Sequence, residues 1–230
     1  MTPNRLAVLK ALETHRCSAI LRTPIAEAVR PAIDAAIEGG FRVVELTLNT
    51  PGCFDHIAAL AQQPDLVVGA GTVLSVEHAK RARAAGAQFL VSPVIDTQVI
   101  AFARQHDLLS IPGTFTPSEM MTAHKAGADL VKLFPGPANG AAYVKACLGP
   151  MPFLKIFPTS GVDLDNVDEW LDAGSYGVGF VNTLFQPEDL AQGNFAKIRE
   201  RAEQMTTRVR GFCSTRDAAA ATASSQTATN

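Results

Sequence analysis

A (β/α)8 barrel is the fold this 230-residue sequence predicts, on three observations. Four segments, EGGFRVVEL, AGAQFLVSP, AGADLVKLF and AGSYGVGF, each set a glycine just before a short apolar run. A helical pattern precedes each glycine, and Gly39, Gly86, Gly127 and Gly174 recur at intervals of 47, 41 and 47 residues. Between these units lie four further apolar runs, SAILR, LVVGAG, LLSIPG and FLKIFPTSG. Eight alternating units in roughly 200 residues match the lower size of such a barrel. An open doubly wound sheet is the competing fold. It would more often carry a GxGxxG turn after its first strand, and SAILRTPIAEA has none.

Taken in order, residues 1–16 read as a helix that covers the bottom of the barrel. Strands are expected near Ser18, Arg42, Leu66, Gln88, Leu108, Asp129, Phe153 and Tyr176. Their continuous apolar runs are those of strands buried on both faces. Helices are expected over Ile25 to Glu38, Val76 to Ala85, Pro117 to Ala126 and Leu164 to Ala173. The glycine after each can take the left-handed conformation that stops a helix. Glu119, in TPSEMM, reads as a first-turn carboxylate at the positive end of its helix. Residues 1–210 are expected to form one domain. The Ala, Ser and Thr-rich stretch 211–230 is expected to be a disordered tail without catalytic role.

Composition narrows the function classes. A net charge of -2 implies no broad basic face for nucleic acid. No apolar run is long enough to span a bilayer, and MTPNRLAVLKALETHR lacks the apolar core of a signal peptide. Cys17, Cys53, Cys147 and Cys213 form no CxxC pair, which fits reduced thiols in the cytoplasm. Cys53 and Cys147 read as small buried residues. The five histidines make no HxH or HExxH spacing, so no metal is expected, although ligands distant in sequence could still assemble a site; no other cofactor is expected.

In such barrels the chemistry sits at the C-terminal ends of the strands. Polar residues there are Arg22, Glu45, Thr72, Lys132, Thr159, Ser160 and Asn182. Lys132 interrupts the apolar run LVKLF, and a lysine is almost never fully buried without a partner or a purpose. On a central strand, burial would lower its pKa and leave a neutral amine able to attack a carbonyl. A structural pairing with Glu45 is the competing reading. A buried Lys and a buried Glu at strand ends together favour chemistry, because an imine-forming lysine needs a proton shuttle. Arg22 has the planar fork that suits a carboxylate, although a plain surface arginine is common at a strand end. The turns PTSGVD and GVGFVN offer backbone N–H groups where barrels often hold phosphate. Ordinary strand-to-helix turns would look the same.

The segments VVELTLNTP, VGAGTVL, GAQFLVSP, IPGTFTPSE, DLVKLFP and FPTSGV resemble, in order and spacing, the 2-keto-3-deoxy-6-phosphogluconate and -galactonate aldolases. The resemblance runs from about Ala19 to Arg201. It implies a metal-free class I aldolase on a (β/α)8 barrel, acting as a homotrimer on a small 2-keto acid. By the resemblance Lys132 is the Schiff-base lysine and Glu45 the general acid/base, while Thr72 and Pro93 line the pyruvyl end. Cleavage would give pyruvate and glyceraldehyde 3-phosphate.

Departures from the family pattern set further expectations. Asn49 stands where the gluconate type has arginine, so Arg22 takes the carboxylate role as in the galactonate type. Thr159 follows the gluconate type, which leaves the preferred C4 epimer open. Ser160-Gly161 replaces Gly-Gly and Val181-Asn182 replaces Gly-Ser in the phosphate loops. Val181 resists positive φ and its methyls would fill the space a phosphate uses, so altered phosphate recognition is expected. The alternatives are a 4-hydroxy-2-oxoglutarate aldolase, an aldolase for an unphosphorylated acid, a sugar-phosphate isomerase or epimerase, and a non-catalytic binding barrel.

Overall fold

The computed structural model describes residues 2–227, with side chains described to position 216. A helix α1 (Pro3–His15) precedes the first strand. Strands and helices then alternate: β1 (Cys17–Leu21), α2 (Ala26–Glu38), β2 (Val43–Thr47), α3 (Cys53–Leu60), β3 (Val67–Gly71), α4 (Val76–Ala84), β4 (Phe89–Val91) and α5 (Thr97–Gln105). The second half holds β5 (Leu109–Ile111), β6 (Gly113–Thr114), α6 (Pro117–Lys125), β7 (Val131–Leu133), α7 (Ala141–Leu148), β8 (Ile156–Pro158), α8 (Val167–Asp172) and β9 (Val178–Phe180). Helices α9 (Pro187–Gln192) and α10 (Phe195–Thr227) close the chain.

All strand pairs are parallel. They form two arcs, β5-β4-β3-β2-β1-β9 and β6-β7-β8. β5 and β6 occupy a single strand position, the one expected near Leu108, and are separated by Pro112 alone. Proline has no N–H to give to the ladder, but the Pro112 carbonyl accepts the Lys132 N–H at 2.9 Å. The strand therefore serves β4 below the proline and β7 above it. The other seam closes where the Tyr176 N–H donates to the Ile156 carbonyl at 2.8 Å. The result is the expected (β/α)8 barrel.

Alternation along each strand divides the core in two. Val44 and Leu46 face the helices in one apolar layer. Val43, Phe89, Val91, Leu109, Leu130 and Phe157 fill the barrel interior. Val8 and Leu12 of α1, both buried, join that interior cluster from below. The expected bottom-covering helix is thus a hydrophobic plug, and each such side chain stabilises by about 1.5–3 kcal/mol.

Three of the four repeat glycines take the left-handed conformation: Gly86 (φ 94°), Gly127 (φ 95°) and Gly174 (φ 98°). Gly39 does not, with φ −74°. The left-handed role falls to Gly40 (φ 101°), one residue further from the helix end. Gly39 is glycine for closeness instead: a Cβ there would lie 2.4 Å from the Ala202 Cβ of α10.

The boundary expected at residue 210 coincides with no element end, because α10 runs continuously through it. Phe212 and Cys213 pack against the core, and Arg216 Nη1 donates to the Leu171 carbonyl at 3.1 Å. These contacts hold the first part of the expected tail on the barrel. Its final residues 228–230 lie outside the described residues. No helix of the described residues is long and apolar enough to cross a membrane.

Candidate active site

Lys132 sits in the middle of β7, with β6 on one side and β8 on the other, so it is not an edge residue. Its neighbour Leu130 points into the barrel interior, and period-two alternation carries Lys132 to the same side. The side chain is buried, with Nζ 4.9 Å from the centre of the Phe134 ring. Glu45 lies on the interior face of β2 by the same alternation from Val43 and is 2 % exposed. Burial raises the Glu45 carboxyl above its ordinary range, against the pull of Lys132 and Arg22. Burial lowers Lys132, with Glu45 opposing and Arg22 adding to the fall. Both shifts favour the neutral forms.

Among the described residues, neither Glu45, Lys132 nor Arg22 makes a side-chain hydrogen bond or a direct ion pair with protein. A purely structural pair would be expected to close on itself, because an unpaired buried charge is costly. Here the two groups face each other electrostatically and remain open to a third partner.

Arg22, Lys132, Thr159, Ser160, Gly161, Val181 and Asn182 line one cavity of about 170 Å³. Seven of the ten candidate residues are therefore brought together at the C-terminal end of the barrel. Glu45, Thr72 and Pro93 are not on its wall. Glu45 lies against Gly71, where a Cβ would come within 1.9 Å of Glu45 Oε1. Thr72 follows directly with φ 61°, a rare conformation for a β-branched residue. Pro93 follows β4, and its carbonyl would lie 2.3 Å from a Cβ on Gly113. Asn49 is exposed and does not line the cavity.

Thr159 is 4 % exposed, and its Oγ1 is buried without a hydrogen-bond partner. The loops after β8 and β9 are tied together where Thr183 Oγ1 donates to the Val162 carbonyl at 2.9 Å. The backbone N–H groups of Ser160, Gly161, Asn182 and Thr183 have no backbone acceptor among the described residues. Val181 does not adopt positive φ. Its carbonyl starts a turn, accepting from Leu184 at 3.1 Å and Phe185 at 2.8 Å. The expected backbone conflict at Val181 does not arise, while its side chain does line the cavity.

Two features were not anticipated from sequence. Gly177 and Gly179, in the segment read as a phosphate turn, make room inside the barrel. A Cβ on Gly177 would meet the Phe157 ring at 2.7 Å, and one on Gly179 would meet Ile20 Cδ1 at 2.6 Å. Gly69 and Gly71 play the same part in β3, Gly69 beside the Phe89 ring and Gly71 beside Glu45. The available signal was the i, i+2 spacing, which puts both glycines of each pair on one face of a strand. Phe134, over the Lys132 ammonium position, is the second. Glu119, by contrast, forms the expected helix start: it makes a capping box with Thr116.

Among the described residues no group of three or more His, Cys, Asp or Glu side chains is placed to hold a metal ion. Cys17, Cys53 and Cys147 are buried free thiols.

A barrel with a buried lysine on the wall of a strand-end cavity, and a buried glutamate within its electrostatic reach, defines a class of sites able to attack a carbonyl. The sequence model of the KDPG and KHG aldolase family matches residues 8–201. The 2-dehydro-3-deoxy-phosphogluconate aldolase of Treponema pallidum is 32% identical over 201 residues, 86% of this chain and 96% of its own length. The 2-dehydro-3-deoxy-6-phosphogalactonate aldolase of Escherichia coli K12 is 35% identical over 171 residues, 73% of this chain and 83% of its own length. Among solved structures, a native KDPGal structure superposes with a TM-score of 0.79 at 31% identity, over 86% of this chain and 96% of that one. A KDPG aldolase from Legionella pneumophila, with pyruvate captured as a covalent carbinolamine, gives 0.78 at 27% identity, over 89% and 98%. The chain belongs to the KDPG and KHG aldolase family and is a carbon–carbon lyase.

Proposed function

We propose that this chain is a class I aldolase that cleaves a 2-keto-3-deoxy-6-phospho sugar acid to pyruvate and glyceraldehyde 3-phosphate. The observation that carries the reading is Lys132, buried on a central strand, lowered in pKa and without an ion-pair partner, with Glu45 beside it. The neutral Lys132 amine attacks the C2 ketone, and loss of water leaves an iminium. A base takes the proton of the C4 hydroxyl, the C3–C4 bond breaks, and its electron pair is held as an enamine. Protonation at C3 and hydrolysis release pyruvate and restore the amine. Glu45 is the proton carrier: burial raises its carboxyl, which favours holding a proton that it can then give up to the substrate.

Arg22 holds the substrate carboxylate through its unpaired guanidinium. Thr72 and Pro93 border the pyruvyl end, and the free Thr159 hydroxyl meets a substrate hydroxyl. The unspent N–H groups of Ser160, Gly161, Asn182 and Thr183 support a distal phosphate. A 4-hydroxy-2-oxoglutarate substrate is the second reading. It is favoured by Val181 on the wall of a small cavity and by a relative named KHG/KDPG aldolase from Escherichia coli, 33% identical over 176 residues.

No cofactor is needed for this chemistry. The proposed assembly is a homotrimer, supported by exposed Leu74, Val94 and Phe115 near the C-terminal ends of neighbouring strands. The proposed compartment is the cytoplasm, which suits the free thiols.

Borohydride reduction in the presence of pyruvate tests the mechanism. A reduced pyruvyl adduct mapped to Lys132, and absent in Lys132→Ala, is expected. A folded protein that traps nothing would move the assignment to an isomerase, an epimerase or a binding barrel. Turnover of phosphorylated against unphosphorylated 2-keto-3-deoxy acids then separates the substrate readings.

A further inference from the structure

At the opposite end of the barrel, a second cavity of about 360 Å³ opens between α1 and α10. It is lined by Thr14, His15, Cys17, Arg42, Thr206 and Arg210, together with Gly40. Two of these, Thr206 and Arg210, lie beyond residue 201, where the match to the family model ends. The cavity is therefore completed by a segment that the family resemblance does not cover.

Its chemistry is one-sided. It has two guanidinium groups and an imidazole on its wall and no Asp or Glu, in a chain whose net charge is -2. Arg42 spends only Nη1 on backbone, donating to Ile37 O at 3.0 Å and Phe41 O at 2.9 Å. Its remaining N–H groups find no acceptor among the described residues. The Arg210 guanidinium makes no hydrogen bond or ion pair among the described residues, and its Nη2 lies 3.7 Å from a Cβ position on Gly40. A neighbouring cavity shares Thr14 but carries the carboxylate of Glu13, so the uncompensated positive charge is specific to the first.

We propose that this cavity is an anion site for a small metabolite bearing a phosphate or carboxylate group, held by Arg42, Arg210 and His15. Guanidinium groups bind such oxyanions through paired N–H donors, and an uncompensated cluster of like charge in a concave site concentrates counter-ions. His15 reports on the charge balance. Burial, then Arg42 and Arg210, hold its pKa below the ordinary histidine range. A bound anion would screen both arginines and raise it. The site lies at the starts of β1 and β2, the strands whose far ends carry Arg22 and Glu45.

The test is an NMR pH titration of the His15 ring, identified by the signal lost in His15→Gln, with inorganic phosphate against chloride at matched ionic strength. Phosphate should raise the His15 pKa saturably. Arg210→Ala should weaken phosphate about tenfold or more, and Arg210→Lys should restore part of the loss, while turnover without phosphate stays unchanged. Citrate in place of phosphate separates the two sources of the oxyanion, and either one shifting His15 supports the site. A His15 titration identical in chloride, phosphate and citrate would overturn the proposal. So would unchanged phosphate affinity in folded Arg210→Ala. Binding seen only in the loops after β8 and β9, with His15 unmoved, would likewise overturn it.

Discussion

Gly71 fixes where Glu45 can be. Its φ is not left-handed, so alanine fits the backbone there. The added Cβ would still fall 1.9 Å from Glu45 Oε1 and force the carboxylate aside. Gly71→Ala should therefore fold, keep forming the borohydride-trapped adduct, and lose about a hundredfold in kcat, the scale of a 1 Å misplacement. Steady-state kinetics beside adduct mass would show the split. Glu45→Gln should lower kcat by roughly 10²–10⁴-fold. It also changes the dependence of stability on pH. The folded Glu45 pKa is raised, so its proton is held more tightly in the native state. That stabilisation is complete below the unfolded value and is lost as pH rises through the folded one. Glu45→Gln should thus gain in Tm relative to wild type as pH rises from 4.5. A gap that narrows instead would mean that Lys132 holds the ionised carboxylate favourably. Glu45 and Lys132 were both readable as residues, because a charge in an apolar strand is conspicuous. Gly71 was not, because a missing side chain has meaning only beside the group that fills its space.

The elements show the same division. The plug α1 was legible as a helix at the barrel bottom, but its target was not. Val8 and Leu12 join the interior cluster with Phe89 and Phe157, from strands far apart in the chain. Leu12→Ala should cost about 2–5 kcal/mol by denaturant unfolding while the strand-end cavity keeps its shape. Strand positions were recognisable from their apolar runs. The break at Pro112 follows from proline chemistry, yet the strand keeps its place because the Pro112 carbonyl still pairs with Lys132. Helix ends were readable to within a residue before all four glycines, but only three of the four glycines take the left-handed conformation. At the first, two adjacent glycines divide the work, Gly40 by torsion and Gly39 by contact with α10. A sequence pattern offers no way to choose between them, since the deciding neighbour, Ala202, arrives only when the barrel is complete.

Over the whole molecule, closing the barrel converts eight separate strand ends into one site. Exposed Leu74, Val94 and Phe115 on the same end would be covered in the proposed trimer. Sedimentation should give three copies of the 24.4 kDa chain, and Phe115→Glu should shift the population toward smaller species. The alternation of helices and strands, the strand carrying Lys132 and the family were set by the chain itself, because period, glycine spacing and buried charge are local properties. The approach of Lys132 and Glu45 within the interior, the glycines that admit them and the cationic cavity beneath α10 were decided only by tertiary structure. Each depends on distances between residues remote in sequence, and those distances exist only once the sheet has curled and closed.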